Sequence, residues 1–398
     1  MIGMIDGSRA AQSPRLALAP MFHVKHRLAL ALVAMATVAF LATGCTAGVA
    51  SPHGWAPPVA AANGLLLVQS ATGRLAAVNT SGATVAQYEL RGATTTNFIG
   101  RTSQAAAAPL YAAPLVDGDA VYVVSYGGTI ARLKLGNGSL TAAWETHLAQ
   151  NIVATPILRG NRLYVSTENG HLVALDATSG KTLTSSRPTS GRVWGAPVLQ
   201  QNRILIGTLD SSELIAVNAE TGAIEWKQTL AGATAADLLV DGELLVVASF
   251  DRTIHALGLA DGTEKWRFQG DGWFVSRPLA TPQGIYMVTM RGSVYALDRT
   301  GQSRWHFRRD GLEFRAAPML VGDTLVAADR NGVFVGLDAA TGTEKWTRTV
   351  DQTFIDADGA LLESALFYVT TDRRLLRVDP ASGDIKAFNV QPPSGDGK

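Results

Sequence analysis

The side chains able to do covalent or metal chemistry are few. His53, His147, His171, His255 and His306 lie beyond the N-terminal segment, and no two stand at i,i+2 or i,i+4, where both imidazoles could reach one ion. The run Asp356-Ala357-Asp358-Gly359 comes nearest to a calcium loop. It misses the first ligand of such a loop, and calcium asks for about six to eight converging oxygens. No Gly-x-Ser-x-Gly, Gly-x-Gly-x-x-Gly or phosphate loop occurs. The single cysteine, Cys45, excludes a disulfide framework and a four-cysteine zinc site. The expectation is a chain with no catalytic residues, no metal and no cofactor. Arginine and aromatic residues offer a different chemistry: Arg192, Trp194, Arg252, Trp273, Phe274, Arg277, Arg291, Phe314, Arg315 and Arg330, joined by Tyr126 and Arg373. Guanidinium forks grip carboxylates or phosphates through paired hydrogen bonds, and these residue types dominate binding hot spots. Two readings stay open. They line a funnel that binds an acidic segment or a small anion, or the arginines are structural and pair with Asp251, Asp271, Asp310, Glu313 and Asp329 nearby in sequence.

What must position these residues is a repeat. A glycine after a small or polar residue recurs at Gly82, Gly138, Gly180, Gly222, Gly262, Gly301, Gly342 and Gly383, at spacings of 56, 42, 42, 40, 39, 41 and 41. Before it stands a block such as GHLVALD (170–176) or GSVYALD (292–298), and before that an alternating apolar run such as VYVVSY or IYMVTM. Period-two alternation over so few residues reads as half-buried strands. The Asp-x-x-Thr-Gly turn suits a tight hairpin, with the carboxylate bonding local amides. Pro114, Pro156, Pro197, Pro278 and Pro318 mark one more strand upstream. After the turn come Trp144, Trp226, Trp266, Trp305 and Trp346; the other copies carry Ala86, Thr184 and Ala387. Four short strands in each of eight copies predict an all-β fold, an eight-bladed β-propeller of four-stranded blades, with a linear solenoid as the competing architecture. In a propeller the loops leading into the first strand, and those between the second and third, would bring the arginine and aromatic set to the mouth of the central channel. Composition agrees: 47% hydrophobic and 17% charged residues with 40 Gly in 398 exclude a disordered chain and suit a turn-rich β protein. A net charge of +1 argues against nucleic-acid binding.

The string Gly-x-Leu-x-Ala-Leu-Asp-x-x-Thr-Gly-x-x-x-Trp, clearest over Gly292–Trp305 and Gly332–Trp346, resembles the tryptophan-docking repeat of the PQQ-like (quinoprotein-type) β-propellers. The resemblance covers about residues 55–390. It implies that the five repeat tryptophans are structural and pack against the neighbouring blade. The family holds dehydrogenases that use pyrroloquinoline quinone and calcium. It also holds non-enzymatic lipoproteins and sensor domains, among them a component of the outer-membrane β-barrel assembly machine. The dehydrogenases carry adjacent cysteines beside the quinone, and this chain has no second cysteine.

The N-terminus reads as an address. The basic stretch from His23 to Arg27 precedes an apolar run of 15 residues, Leu28 to Ala42. That is short for a membrane span and fits a secretory signal. Its end, Leu41-Ala42-Thr43-Gly44-Cys45, resembles a bacterial lipobox with Ala42 in place of the usual Leu, which would make Cys45 the lipidated residue. Thr46 after it, rather than Asp, fits export to an outer membrane where the host has one. The first 20 residues are untypical of a signal, and Met21 is an alternative start. The expected organisation is a signal peptide over 1–44, a lipidated cysteine and flexible tether over 45–62, the propeller over 63–390 with an insertion at Arg91 to Ala108, and a disordered tail over 391–398. The expected function is a lipid-anchored, extracytoplasmic, monomeric propeller of the bacterial cell envelope. It would bind protein partners without catalysis, in outer-membrane protein assembly as its most specific form. A quinone-dependent dehydrogenase and a ligand-sensing propeller are the alternatives.

Overall fold

The computed structural model describes residues 56–96 and 99–390; the signal segment, Cys45, the start of the tether and the tail from 391 lie outside the described residues. Eight four-stranded antiparallel sheets follow one another, each built from four consecutive strands. Blade 1 is Val59–Ala61, Leu65–Ala71, Arg74–Val78 and Thr84–Glu89. Blades 2 to 8 run over 115–147, 157–186, 198–229, 239–269, 279–308, 319–349 and 360–389. The first strands are three residues long, and those of adjacent blades approach one another, as Leu239–Asp241 does with Val198–Gln200 and Leu279–Thr281. They surround the centre of the ring. Among the described residues no helix is long and apolar enough to cross a membrane.

The alternation in the sequence divides the apolar residues between two neighbours. In blade 6, Ile285, Met287, Tyr295 and Leu297 pack against blade 5, while Tyr286, Val288, Val294 and Ala296 pack against blade 7. The second and third strands are therefore buried on both faces rather than half-buried, which is why their runs are almost continuously apolar. The core is divided into eight such clusters, one at each junction. The last closes the ring, with Leu66, Val68 and Ala76 of blade 1 against Phe367, Leu375 and Val390. No single blade could bury its two faces alone, so the ring is one packing unit.

The turn between third and fourth strands is set by its side chains. In blade 7, Asp338 Oδ1 accepts the Ala340 and Thr341 amides at 3.0 and 2.9 Å, and Gly342 takes φ +74°, open to glycine at little cost. One boundary differs from expectation. The first strand begins at Val59, inside the stretch read as tether, and Ala56 is already buried. Pro58 precedes that strand as Pro114, Pro156 and Pro278 precede theirs, so the repeat pattern extends further upstream than its apolar runs suggest. The insertion after blade 1 contains a paired, exposed hairpin, Thr94–Thr96 with Thr102–Gln104.

Candidate binding site at the centre of the ring

Two residues before the first strand, Thr155, Asp237, Arg277 and Asp358 line the middle of the ring, and three of them tie neighbouring blades together. The Ala113 amide donates to Thr155 Oγ1 at 3.1 Å, the Ala196 amide to Asp237 Oδ1 at 2.6 Å and the Ala317 amide to Asp358 Oδ1 at 2.6 Å. Each bond spans one blade repeat. Arg277 holds the same position in blade 6. These groups surround a throat enclosing about 710 Å³ of empty space, part of it open to solvent. Trp194, Asp237, Arg277, Arg315, Asp356 and Asp358 supply its charged and aromatic lining among small residues such as Ala112, Ala154 and Ala236. Asp358 is raised from the ordinary 3.8 to about 6. Burial is the main cause, the Asp237 charge adds to it, and the Ala317 amide and Arg277 oppose it.

Of the ten arginine and aromatic residues expected at the mouth, the throat brings together Trp194, Arg277 and Arg315. Phe274 and Phe314 do not belong there. Both are fully buried, in the clusters between blades 5 and 6 and between blades 6 and 7. They sit in loops with no periodicity to reveal their direction, and they turn into the junctions because apolar rings lose water there. Three arginines are held by acids. Arg192 pairs with Asp210 at 3.3 Å and lies over Trp194, whose Nε1–H reaches Glu168 at 3.2 Å. Arg315 pairs with Glu313 at 2.6 Å and with Asp356 at 3.7 Å, and Arg330 reaches Asp356 at 3.0 Å while lying over Phe354. For these three the structure pairs guanidinium with carboxylate. Only Glu313 was among the named acids, and the others are Asp210 and Asp356.

The remaining four behave differently. Arg252 is exposed at φ +69°, and Arg277 is exposed at the throat; neither makes an ion pair within 4 Å among the described residues. Arg291 reaches the Asp271 carbonyl at 3.5 Å. Trp273 is 54% exposed and stacks on Phe250 at 6.0 Å. Trp273, Arg252 and Arg291 come from neighbouring loops of blades 5 and 6, so they form a rim patch beside the throat and outside it. Reasoning from sequence passed over Thr155 and Asp237 and met Asp358 only within the incomplete calcium-loop run 356–359, although the recurrence two residues before the first strand carried their signal.

One cluster has the residue types of a hydrolase. Ser293 Oγ lies 2.7 Å from Asp271 and 3.0 Å from His306 Nε2. It is fully buried, and its one proton given to Asp271 leaves His306 as donor to the serine, the reverse of a base. Burial lowers the His306 pKa, with Arg308 adding to the effect and Asp271 opposing it. Arg308 also holds Asp271 at 3.1 Å. The arrangement ties strands and exposes no nucleophile. In the throat, Asp237 and Asp358 each accept an amide across a junction through Oδ1. Among the described residues no three His, Cys, Asp or Glu side chains gather for a metal.

The five repeat tryptophans meet the next blade in one way. Nε1–H donates to a carbonyl there: Trp144 to Ala177, Trp226 to Leu259, Trp266 to Arg299, Trp305 to Ala339 and Trp346 to Pro380, at 2.9 to 3.1 Å. The indole lies flat on the turn glycine. A Cβ on Gly342 would sit 2.6 Å from the Trp305 ring.

The ring has known counterparts. The crystal structure of BamB from Moraxella catarrhalis superposes with a TM-score of 0.64 at 18% identity, covering 84% of this chain and 94% of that one. The quinohemoprotein alcohol dehydrogenase of Comamonas testosteroni shares the fold at a TM-score of 0.62 and 12% identity, over 82% of this chain and 71% of the other. In sequence, the outer membrane protein assembly factor BamB of Moranella endobia is 25% identical over 255 residues, 57% of this chain and 64% of that protein. Residues 48–186 and 175–385 match the family model described as outer membrane protein assembly factor BamB, and with its eight PQQ-like blades the chain belongs to that family.

Proposed function

We propose that this protein is a non-catalytic scaffold of the bacterial envelope that works in outer-membrane protein assembly, held to a membrane by lipid on Cys45. The match of almost the whole ring to the assembly-factor family carries the reading. The site supports it in kind. Its throat carboxylates and most of its arginines are engaged within the protein, while two cations and a large indole are left facing solvent. The partner would dock on the face formed by the loops leading into the first strands. It would present carboxylates to Arg252 and Arg277 and an apolar group to Trp273. Loss of water from such an aromatic anchor is what makes a hot spot strong.

The test is a crosslinking pull-down of the full-length protein from its own membranes. Wild type is compared with Trp273→Ala/Arg252→Glu, with Arg277→Glu and with Cys45→Ser. Recovery of an outer-membrane assembly component by wild type, lost in the rim variant while its melting temperature stays within about 2 °C, supports the reading. An assembly component retained by both charge variants moves the site elsewhere on the ring. Recovery of no envelope protein at all overturns the scaffold role. The Cys45→Ser arm is expected to leave the protein in the soluble fraction after lysis.

A further inference from the structure

Tryptophan docking recurs at five junctions and is conspicuously incomplete at one. Blade 3 carries Thr184 at the docking place. It stands opposite Ala174 in the ladder as Trp226, Trp266 and Trp305 stand opposite Ala216, Ala256 and Ala296. On blade 4 the receiving parts are all present. Gly222 takes φ +72°, as Gly262 and Gly301 take theirs. The Ala177 and Ala339 carbonyls each accept two bonds, one from a tyrosine hydroxyl and one from an indole. Their counterpart Ala219 accepts the Tyr164 hydroxyl at 3.0 Å and, among the described residues, no indole.

The place of the missing ring is empty. A pocket with about 400 Å³ of empty space, part of it open to solvent, lies between Tyr164, Thr184, Ser186, Ala219 and Gly222. A Cβ on Gly222 would meet nothing nearer than Ser186 Oγ at 3.4 Å, whereas on Gly262 it would strike the Trp226 ring at 2.6 Å. The other two blades without the tryptophan fill their junctions by different means. Phe388 lies over Gly82 where the ring closes. Ala86 packs with Leu135 and Leu140 from the long strands of blade 2, whose turn glycine, Gly138, stands clear of any neighbour.

We propose that the slot between blades 3 and 4 binds an indole, the tryptophan side chain of a partner protein, which docks from outside as five tryptophans dock from within. The chemistry is specific. The glycine floor asks for a flat ring, and the Ala219 carbonyl asks for an N–H donor that phenylalanine lacks. By the strand order the slot lies with the third-to-fourth turns, on the face away from the throat, so its failure and that of the docking face are separate results.

The probe is N-acetyl-5-fluorotryptophanamide, followed by fluorine NMR with the full chain. Saturable broadening is expected, with amide shifts at Ala219 and Gly222. A peptide carrying one tryptophan should compete with the probe, and the same peptide with phenylalanine should not. Thr184→Trp, which supplies the ring from within, should raise the melting temperature and abolish binding. Gly222→Ala, which puts a methyl on the floor, should weaken binding at least tenfold in a folded protein. No saturable binding to wild type overturns the proposal. So does binding unchanged in Gly222→Ala, binding unchanged in a Thr184→Trp variant of raised melting temperature, or failure of the tryptophan peptide to compete.

Discussion

Asp358 and Arg277 share the throat from blades 8 and 6, and the burial of Asp358, which Arg277 only partly opposes, makes a pH prediction. Folded, Asp358 keeps its proton up to about pH 6; unfolded, it releases it near 3.8. The native state therefore binds the extra proton. The contribution of Asp358 to stability is fully present below about pH 4 and is lost as pH rises through 6. Asp358→Asn keeps an acceptor for the Ala317 amide and removes the charge. It should raise stability at pH 7.5 by at most about 3 kcal/mol and at pH 4.5 by only about 1 kcal/mol, as read from urea unfolding at the two pH values. Equal effects at both would show that burial of the charge is not what Asp358 costs. At this scale the sequence was only partly legible. Trp273 and Phe274 are neighbours in one loop, yet one faces water and the other is fully buried. A loop has no period from which to read direction, whereas Arg277 could be placed because its position recurs every blade.

At the scale of the element, the repeat was almost wholly readable, because each blade states its own pattern and the copies correct one another. The glycine turn, the tryptophan four residues on and the proline before the first strand each fix one end of a strand. What the pattern did not reach is what the copies do not share: the hairpin inside the insertion at 94–104, the early first strand at Val59 and the stand-in Phe388. Trp346 tests what a docked ring contributes, since it is the most buried of the five and donates to Pro380. Trp346→Ala removes a large apolar group and leaves a buried carbonyl short of a donor, so a loss of about 3–5 kcal/mol is expected. Gly342→Ala should also destabilise, since φ +74° disfavours alanine and its methyl would strike Trp305. Thermal unfolding of both variants beside wild type checks this pair, and a Gly342→Ala melting point equal to wild type would deny the docking geometry.

For the whole molecule, the decisive feature is how the ring closes. All four strands of blade 1 come from the start of the repeat region and all four of blade 8 from its end, so among the described residues no strand is exchanged across the seam. The seam is held by the cluster of Leu66, Val68, Phe367, Leu375 and Val390, and by Phe388 against Gly82. Among the described residues it lacks the indole-to-carbonyl bond that five other junctions have. A closed ring shares strain among all its junctions, but the seam joins segments far apart in sequence, and the loss of order in joining them is largest there. Local opening should therefore start at blades 1 and 8. Phe388→Ala is expected to raise amide exchange in Leu65–Val78 and Leu366–Val378 by tenfold or more, while exchange in blade 5, Leu244–Gly258, follows only the change in global stability. If blade 5 accelerates as much as blades 1 and 8, the ring opens only by unfolding as a whole, and the seam is no weaker than the junctions that tryptophan closes.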